Sequence, residues 1–168
     1  YEMALEWSWR CSQAVRRLLR ARYPDTYAET YYSNSLAGVV QDDRHLLALM
    51  TEAIIERGYE GKVGLYFDCA ADCYYEPDID KYVGEFKAGE RTRDEQIALL
   101  KRYGDEFPIV SLEDPLHEED FEGHALAVQE VVSEVVGDDL FTTNIVRLAQ
   151  GFEMGAASSM VLKITQVG

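Results

Sequence analysis

The chain has 168 residues and a formal net charge of −15, and 47% of its residues are hydrophobic. This length is enough for one domain with a core, but it is short for a complete eight-fold βα barrel, which takes about 250 residues. The acidic charge argues against non-specific binding to nucleic acid, and no apolar run reaches the roughly 20 residues of a membrane helix. Three cysteines without disulfide or zinc-site spacing favour a reducing, cytoplasmic setting, and no secretory signal pattern is expected.

The first third of the chain is predicted to be mainly helical. Apolar residues recur at helical spacing over residues 2–22, a segment that holds five arginines and two glutamates. The arginines are interpreted as a solvated helix face, with a binding face as the alternative. Residues 23–41, rich in Tyr, Ser, Asn and Gly, are predicted to be a loop. Asp42 and Asp43 are expected to begin a second helix, which Gly58 ends as a cap.

Four short apolar runs follow, and each is closed by an ionisable residue. The runs occupy residues 63–68, 108–113, 135–138 and 158–163. Helices are predicted between the runs, over about residues 92–103, 121–134 and 144–154, and the first of them is opened by a capping box. Alternating strands and helices indicate βα units and a parallel sheet. Because no glycine-rich phosphate loop follows the first run, a barrel is favoured over a nucleotide-binding sheet.

The residues that close these runs are candidates for a common site. They are Asp68, Glu113, Asp138 and Lys163, and the last three follow one another at intervals of 25 residues. In a parallel barrel the carboxyl ends of the strands meet at one rim, so these side chains are expected to lie together. Three carboxylates there would repel one another unless a cation neutralised them, and oxygen ligands suit Mg²⁺. The alternative is that each acid only caps its strand or the next helix.

Two interpretations of Lys163 remain open. Near a bound cation the ammonium form of a lysine is disfavoured, which lowers its pKa and makes it a candidate base for removing a proton next to a carboxylate. The other interpretation is a structural ion pair with Glu113 or Asp138. Sequence spacing alone does not decide between them.

Four stretches of the chain resemble the enolase (phosphopyruvate hydratase) family. They are Phe-Asp-Cys-Ala at 67–70, Val-Ser-Leu-Glu-Asp-Pro at 110–115, Val-Gly-Asp-Asp-Leu-Phe-Thr-Thr-Asn at 136–144 and Val-Leu-Lys-Ile-Thr-Gln-Val-Gly at 161–168. The resemblance extends over nearly the whole chain. It implies that residues 1–168 are part of one enolase-like barrel domain, an α/β fold of the partial TIM-type (β/α) barrel kind. It also implies that the family's N-terminal domain and last barrel strands lie outside this sequence.

The resemblance further implies a reaction and a set of site residues. Asp68, Glu113 and Asp138 match the family's Mg²⁺ ligands, Lys163 matches its general base, and Gln166 and Glu113 are expected to bind substrate. The implied function is that of a glycolytic lyase, which dehydrates 2-phosphoglycerate to phosphoenolpyruvate or acts on a closely related phospho- or phosphono-hydroxy acid. The expected partners are this small phosphorylated hydroxy acid and further copies in a homodimer or larger assembly. A cytoplasmic location without nucleic acid or membrane partners is also expected.

One departure from the family concerns the loop before the second helix. The family carries Gly-Asp-Glu-Gly-Gly there, with a glutamate that helps to expel hydroxide, whereas Ser33 lies near that position in this chain. Serine is too weak an acid for that role. Two functions therefore remain: an enolase-type lyase, or a catalytically impaired relative with a structural or assembly role. In the second case a contact surface would be formed by Tyr27, Tyr31, Tyr32, Tyr74 and Tyr75, and ordinary loop and core packing is their alternative role.

Overall fold

The computed structural model describes residues 1–25, 28–29, 34–35, 39–40, 42–84 and 89–166. The chain divides into two compact units, Tyr1–Leu65 and Tyr66–Gly168. Among the described residues, no helix is both long and apolar enough to cross a membrane. The assignment of residues 1–168 to a single barrel domain stays a prediction. Ser33, with most of the altered loop, lies outside the described residues.

The first unit is built from two helices that share an apolar core. Its elements are α1 (Glu2–Arg22), the antiparallel two-residue strands β1 (Ala28–Glu29) and β2 (Asn34–Ser35), and α2 (Asp43–Glu56). The core consists of Ala14, Val15, Leu18, Leu19, Val39, Leu49 and Ala53. Both predicted helices are confirmed, because apolar side chains at helical spacing line one face of each.

Polar contacts at the surface of the first unit fix the ends and faces of its helices. The side chain of Asp42 accepts a hydrogen bond from the backbone N–H of His45 (2.8 Å), which confirms the predicted start of α2. Arg17 and Arg22 form ion pairs with glutamates of α2, so this part of the basic face is engaged within the unit. The pairs are partly exposed, which favours the interpretation of a solvated face and limits their contribution to stability.

The remaining elements alternate between strands and helices, as predicted. In chain order they are β3 (Leu65–Asp68), a 3-10 helix (Ala71–Tyr74), β4 (Tyr75–Glu76), β5 (Lys81–Val83), β6 (Glu90–Arg91), α3 (Arg93–Glu106), β7 (Ile109–Glu113), α4 (Phe121–Glu130), β8 (Glu134–Gly137), α5 (Ile145–Met154) and β9 (Ser159–Met160). The capping box of Thr92 and Glu95 opens α3, and Asn144 caps α5. Both helix starts were predicted from the sequence.

The main sheet of the second unit has the strand order β3-β7-β8-β9. Strands β7, β8 and β9 pair in parallel, with Glu113 opposite Val136 and Gly137 opposite Met160. Each strand therefore lies beside the next main-sheet strand along the chain, and α3, α4 and α5 lie in the connections. This arrangement confirms the α/β class with a parallel sheet. Within the described residues the four strands form part of a barrel and do not close it.

Several predicted boundaries were wrong, the ends of α4 and β9 among them. α4 ends at Glu130 and does not continue to residue 134, because Val131 is extended and the chain enters β8 at Glu134. β9 contains only Ser159 and Met160, although a strand was predicted over residues 158–163. Lys163 therefore lies three residues beyond its strand and does not close it.

The sequence analysis did not predict two smaller sheets: the β1–β2 pair, which lies in the segment predicted to be a loop, and a sheet in the second unit. Strands β4, β5 and β6 form the latter as an antiparallel three-stranded sheet between β3 and α3. The hydroxyl of Tyr82 accepts a hydrogen bond from the backbone N–H of His117 (3.0 Å), and the ring of Tyr75 stacks on the His117 ring at 4.3 Å. These contacts attach the small sheet to the loop after β7. Strands of two or three residues are too short to show an alternating apolar pattern.

Phe141 packs closely against two glycines, one at the end of β8 and one in α5. Its ring is buried in a cluster with Phe121, Leu140 and Ala156. A Cβ atom at either Gly137 or Gly151 would overlap the ring. Glycine at these positions therefore lets α5 lie close to the end of β8.

We expect Gly151→Ala to lower the free energy of unfolding by about 1–3 kcal/mol, because the Phe141 ring must move to admit the methyl group. Gly104→Ala is the matched control. Gly104 also lies in a helix, but a Cβ atom added there would have the Ser133 hydroxyl oxygen as its nearest neighbour, at an uncrowded 3.6 Å. There alanine should raise the free energy of unfolding by about 0.5–1 kcal/mol. Urea denaturation measures both changes, and stabilisation by Gly151→Ala would contradict the described packing.

Candidate active site

The predicted site residues lie at the carboxyl ends of neighbouring strands. Asp68 and Glu113 are the last residues of β3 and β7, and Asp138 follows β8 directly. Backbone hydrogen bonds continue the pairing beyond the strands, from Cys69 N–H to the Glu113 carbonyl (2.9 Å) and from Asp114 N–H to the Val136 carbonyl (3.0 Å). The ladder therefore extends to the residues that carry the acids and brings these residues to one edge of the sheet.

Three carboxylates converge tightly at this edge. One oxygen from each of Glu113, Asp114 and Asp138 lies within 4.8 Å of the others. Glu113 and Asp138 are two of the three predicted metal ligands, and the third member of the group is Asp114, which was not predicted. Asp68 is not in this group, and its Oδ1 accepts a hydrogen bond from the Ala70 N–H (3.0 Å).

The environment of Glu113 shows that Asp68 is nevertheless nearby. Burial raises the pKa of Glu113, and the negative charges of Asp68, Asp114 and Asp138 act in the same direction. A hydrogen bond with the side chain of Tyr66 on β3 opposes this rise. Three other carboxylates thus act on Glu113 at this edge, which is an unfavourable arrangement without positive charge.

Asp138 has one carboxylate oxygen that is ready to accept a ligand. Its side chain is buried, and its Oδ1 has no hydrogen-bond partner among the described residues. Leaving a buried carboxylate oxygen unsatisfied is costly, and a cation would satisfy it. Mg²⁺ prefers such oxygen ligands and takes one or two carboxylates with several waters. The residues present at this edge therefore fit Mg²⁺.

Asp114 is already engaged in hydrogen bonds. It is buried, and its backbone has a left-handed φ of +37°. Its carboxylate accepts hydrogen bonds from the backbone N–H groups of Asp138 (3.0 Å), Asp139 (2.9 Å) and Leu140 (3.4 Å). Burial raises the pKa of Asp114, and these three hydrogen bonds oppose the rise. We interpret Asp114 as the residue that holds the loop carrying Asp138.

Lys163 and Gln166 approach the same loop from the segment after β9. The Lys163 ammonium forms an ion pair with Oδ2 of Asp138, and this hydrogen bond raises the pKa of Lys163. The ion pair that the sequence left open is thus present in the structure, next to the predicted metal ligand. The side-chain oxygen of Gln166 accepts a hydrogen bond from the Thr143 hydroxyl (2.8 Å).

Asp114 and Thr143 are two polar residues of this region that sequence reasoning missed. Asp114 could have been noticed because it forms an adjacent acidic pair with Glu113 at a strand end. Thr143 carries no such signal, since a Thr-Thr-Asn segment before a helix indicates only capping. Its contacts depend on where the chain returns after β9, which no local pattern encodes.

His124 on α4 is a buried titratable group close to this region. Its Nδ1 forms a hydrogen bond with the Asp120 carbonyl (2.9 Å), and its Nε2 has no partner among the residues the structure describes. Burial lowers the pKa of His124, while the hydrogen bond and the charges of Asp114, Asp120 and Asp72 oppose the lowering. The lowered pKa favours the neutral imidazole in the folded protein.

We expect the protein to lose stability through His124 when the pH falls below the ordinary histidine pKa of about 6.5. Because the folded-state pKa is the lower one, the unfolded state binds the proton more strongly, and the contribution is fully present only above that pH. Asparagine at position 124 keeps a donor for the Asp120 carbonyl and cannot be protonated. Urea denaturation across this pH range should therefore show a weaker pH dependence for His124→Asn, and an unchanged dependence would contradict the assignment.

Comparisons with known proteins agree with the fold and the motifs. All of residues 1–168 match the family model described as "Enolase, C-terminal TIM barrel domain". The chain is 42% identical over 157 residues to the enolase of Methanopyrus kandleri, covering 90% of this chain and 36% of that protein. It is 39% identical over 155 residues to the enolase of Methanococcus aeolicus, covering 92% and 36%. It is 35% identical over 164 residues to the enolase of Eimeria tenella, covering 93% and 37%.

These matches define what part of the family this chain represents. The chain spans little more than a third of the length of these curated relatives. Its parallel sheet and helices correspond to part of the barrel domain, as the resemblance implied. The chain therefore belongs to the enolase family, as a partial member that carries part of the C-terminal TIM barrel domain.

Proposed function

We propose that this chain supplies part of the active site of a Mg²⁺-dependent enolase-type lyase. The proposed reaction is the dehydration of 2-phosphoglycerate to phosphoenolpyruvate, or a closely related reaction of a phospho- or phosphono-hydroxy acid. The observation that carries the proposal is the convergence of Glu113, Asp138 and Lys163 at one edge of a parallel sheet. Because the chain spans about 36% of its relatives' length, the activity is proposed for the whole protein. We propose a cytoplasmic homodimer or larger assembly, with neither nucleic acid nor a membrane as a partner.

The metal site is proposed to consist of Asp68, Glu113 and Asp138. The unsatisfied Oδ1 of Asp138 and the mutual repulsion at Glu113 support it. When bound, Mg²⁺ would supply the positive charge that stabilises the anion formed on loss of a proton next to the substrate carboxylate. Asp114 is not proposed as a ligand, because its oxygens already accept three backbone hydrogen bonds.

Lys163 is proposed as the base that removes the C2 proton of the substrate, in the neutral amine form that a bound Mg²⁺ would favour over the ammonium now paired with Asp138. Its ammonium nitrogen lies within hydrogen-bond reach of Asp138, so the side chain extends to the proposed metal site. The electrons of the broken C2–H bond would form the C2–C3 double bond as the C3 hydroxyl leaves and takes up a proton to become water. Glu113 and Gln166 are proposed to contact the substrate beside Lys163. Ser33 lies near the position of the family's glutamate that helps to expel hydroxide. We therefore propose either that loss of hydroxide is impaired or that the substrate is a related one.

We expect Mg²⁺ to stabilise the full-length protein, by about 2.7 kcal/mol at a concentration 100-fold above its dissociation constant. Asp138→Asn should abolish most of this stabilisation, because it removes the charge that holds the ion. Asp105→Asn, on the exposed surface of α3, should leave the Mg²⁺ effect unchanged. Thermal unfolding with and without Mg²⁺ measures the difference. Full Mg²⁺ stabilisation of Asp138→Asn would contradict the proposed site.

Proton abstraction can be tested separately from dehydration by following exchange of the C2 proton of 2-phosphoglycerate with D₂O. We expect Mg²⁺-dependent exchange by the full-length protein and a loss of at least about 100-fold in Lys163→Ala. Lys101→Ala is the control, since Lys101 pairs with Glu130 on the surface of α3 and α4.

The pattern of exchange and dehydration distinguishes the remaining functions. Exchange with dehydration would establish an enolase. Exchange without dehydration would show that proton abstraction survives while the loop around Ser33 no longer supports loss of hydroxide. Absence of exchange in a protein that binds Mg²⁺ would contradict a lyase acting on 2-phosphoglycerate and would favour another substrate or a structural role.

A further inference from the structure

The loop after β8 is held rigidly at several points. The N–H groups of Phe141 (3.1 Å) and Thr142 (2.7 Å) donate to the Asp138 carbonyl, and Asn144 N–H donates to the Phe141 carbonyl (2.7 Å). Asp114 holds the start of the loop through three backbone N–H groups. The Arg147 guanidinium donates to the Leu140 carbonyl (2.7 Å). A loop held in this way can fix the positions of other side chains that form hydrogen bonds to it.

Two consecutive residues of this loop have a backbone conformation that their side chains disfavour. Thr142 has a φ of +44° and Thr143 a φ of +54°. Left-handed conformations are uncommon for β-branched residues and are energetically unfavourable for them. The surrounding hydrogen bonds must therefore stabilise both residues, and Asn144 then begins the cap of α5.

The Thr143 hydroxyl connects this loop to the two predicted site residues after β9. It accepts a hydrogen bond from the backbone N–H of Lys163 (3.0 Å) and donates one to the side-chain oxygen of Gln166 (2.8 Å). A hydroxyl can do both because it is a donor and an acceptor at once. β9 ends at Met160, so the contact with Thr143 holds the Lys163 backbone beyond the end of the strand.

We infer that Thr143 is a positioning residue, whose hydroxyl places Lys163 and Gln166 relative to Asp138. This inference rests on the proposed function of Lys163 as a base. A lysine has four rotatable side-chain bonds, so one ion pair to Asp138 leaves the placement of its backbone undetermined. Thr143 fixes that backbone, and the same hydroxyl orients the Gln166 amide.

Thr142 provides a matched control within the same loop. It has the same side chain and the same left-handed backbone, but its hydroxyl donates to the carbonyl of its own neighbour Phe141 (2.9 Å). Thr142→Val and Thr143→Val therefore both place a valine at a position with a left-handed backbone, and should strain the loop similarly. They differ in whether the lost hydroxyl bonded to Lys163 and Gln166.

The test compares Thr143→Val, Thr143→Ser and Thr142→Val in the full-length protein with Mg²⁺ and 2-phosphoglycerate. We expect Thr143→Val to lower kcat about 10- to 100-fold, as misplacement of a reacting group does, while Thr143→Ser retains most of the activity. Thr142→Val should stay within about twofold of the parent. Thr143→Gly adopts a positive φ without cost and lacks the hydroxyl, so it tests the same loss if the valine variant does not fold. Equal kcat values in all four variants and the parent would overturn the inference.

Hydrogen exchange of the Lys163 amide tests the positioning without reference to activity. Thr143→Val should speed this exchange by at least about tenfold, whereas Thr143→Ser and Thr142→Val should preserve its protection. If the parent shows no turnover but this pattern holds, the proposed reaction fails and the placement of Lys163 by Thr143 stands. If Thr143→Val and Thr142→Val give the same exchange rate at Lys163, the positioning role is overturned, whatever the activity.

Discussion

The crowding of carboxylates at the ends of adjacent parallel strands is the constraint on which the rest of the site depends. Parallel pairing places Glu113 beside Val136, and the continued ladder brings Asp114 and Asp138 to the same edge. Each acid there needs compensation, because like charges at this separation in a partly buried setting repel strongly. Backbone N–H groups supply it for Asp114, and the Lys163 ammonium supplies it for one oxygen of Asp138. The remaining unsatisfied oxygen is the strongest argument for a cation.

Adjacent acids in the same motif thus have different roles, which their environments decide. Asp114 is buried and has a left-handed backbone, and its carboxylate accepts hydrogen bonds from the backbone of the loop after β8. Glu113 keeps a raised pKa because burial and neighbouring charges both disfavour its ionised form. A carboxylate that is destabilised in this way gains more from a metal than one already satisfied by backbone donors. Judged by distance alone, Glu113 and Asp114 would be equal candidates for metal ligands. The hydrogen bonds already accepted by Asp114 make Glu113 the better candidate.

The loop after β8 connects Asp138 with the segment after β9. Asp114 and Arg147 form hydrogen bonds to the backbone of this loop. The Thr143 hydroxyl, which belongs to the loop, forms hydrogen bonds to the backbone of Lys163 and the side chain of Gln166. This arrangement places a long, flexible lysine on a backbone fixed by hydrogen bonds, which reduces the number of positions that its ammonium can reach. The close packing of Phe141 on Gly137 and Gly151 supplies the apolar support beneath the loop.

The sequence by itself determined the alternation of strands and helices, the caps at Thr92 and Asn144, and the identity of the acids at the strand ends. These features are local, because propensity, capping and apolar periodicity are set by residues a few positions apart. It could not show that α4 stops at Glu130, that β4, β5 and β6 form a small sheet, or that Lys163 lies beyond the end of β9. Tertiary structure decided these features, together with the pairing of Lys163 with Asp138 and the contacts of Thr143. Each depends on which distant segments meet across the sheet, and that is fixed by burial and hydrogen-bond satisfaction over the whole fold.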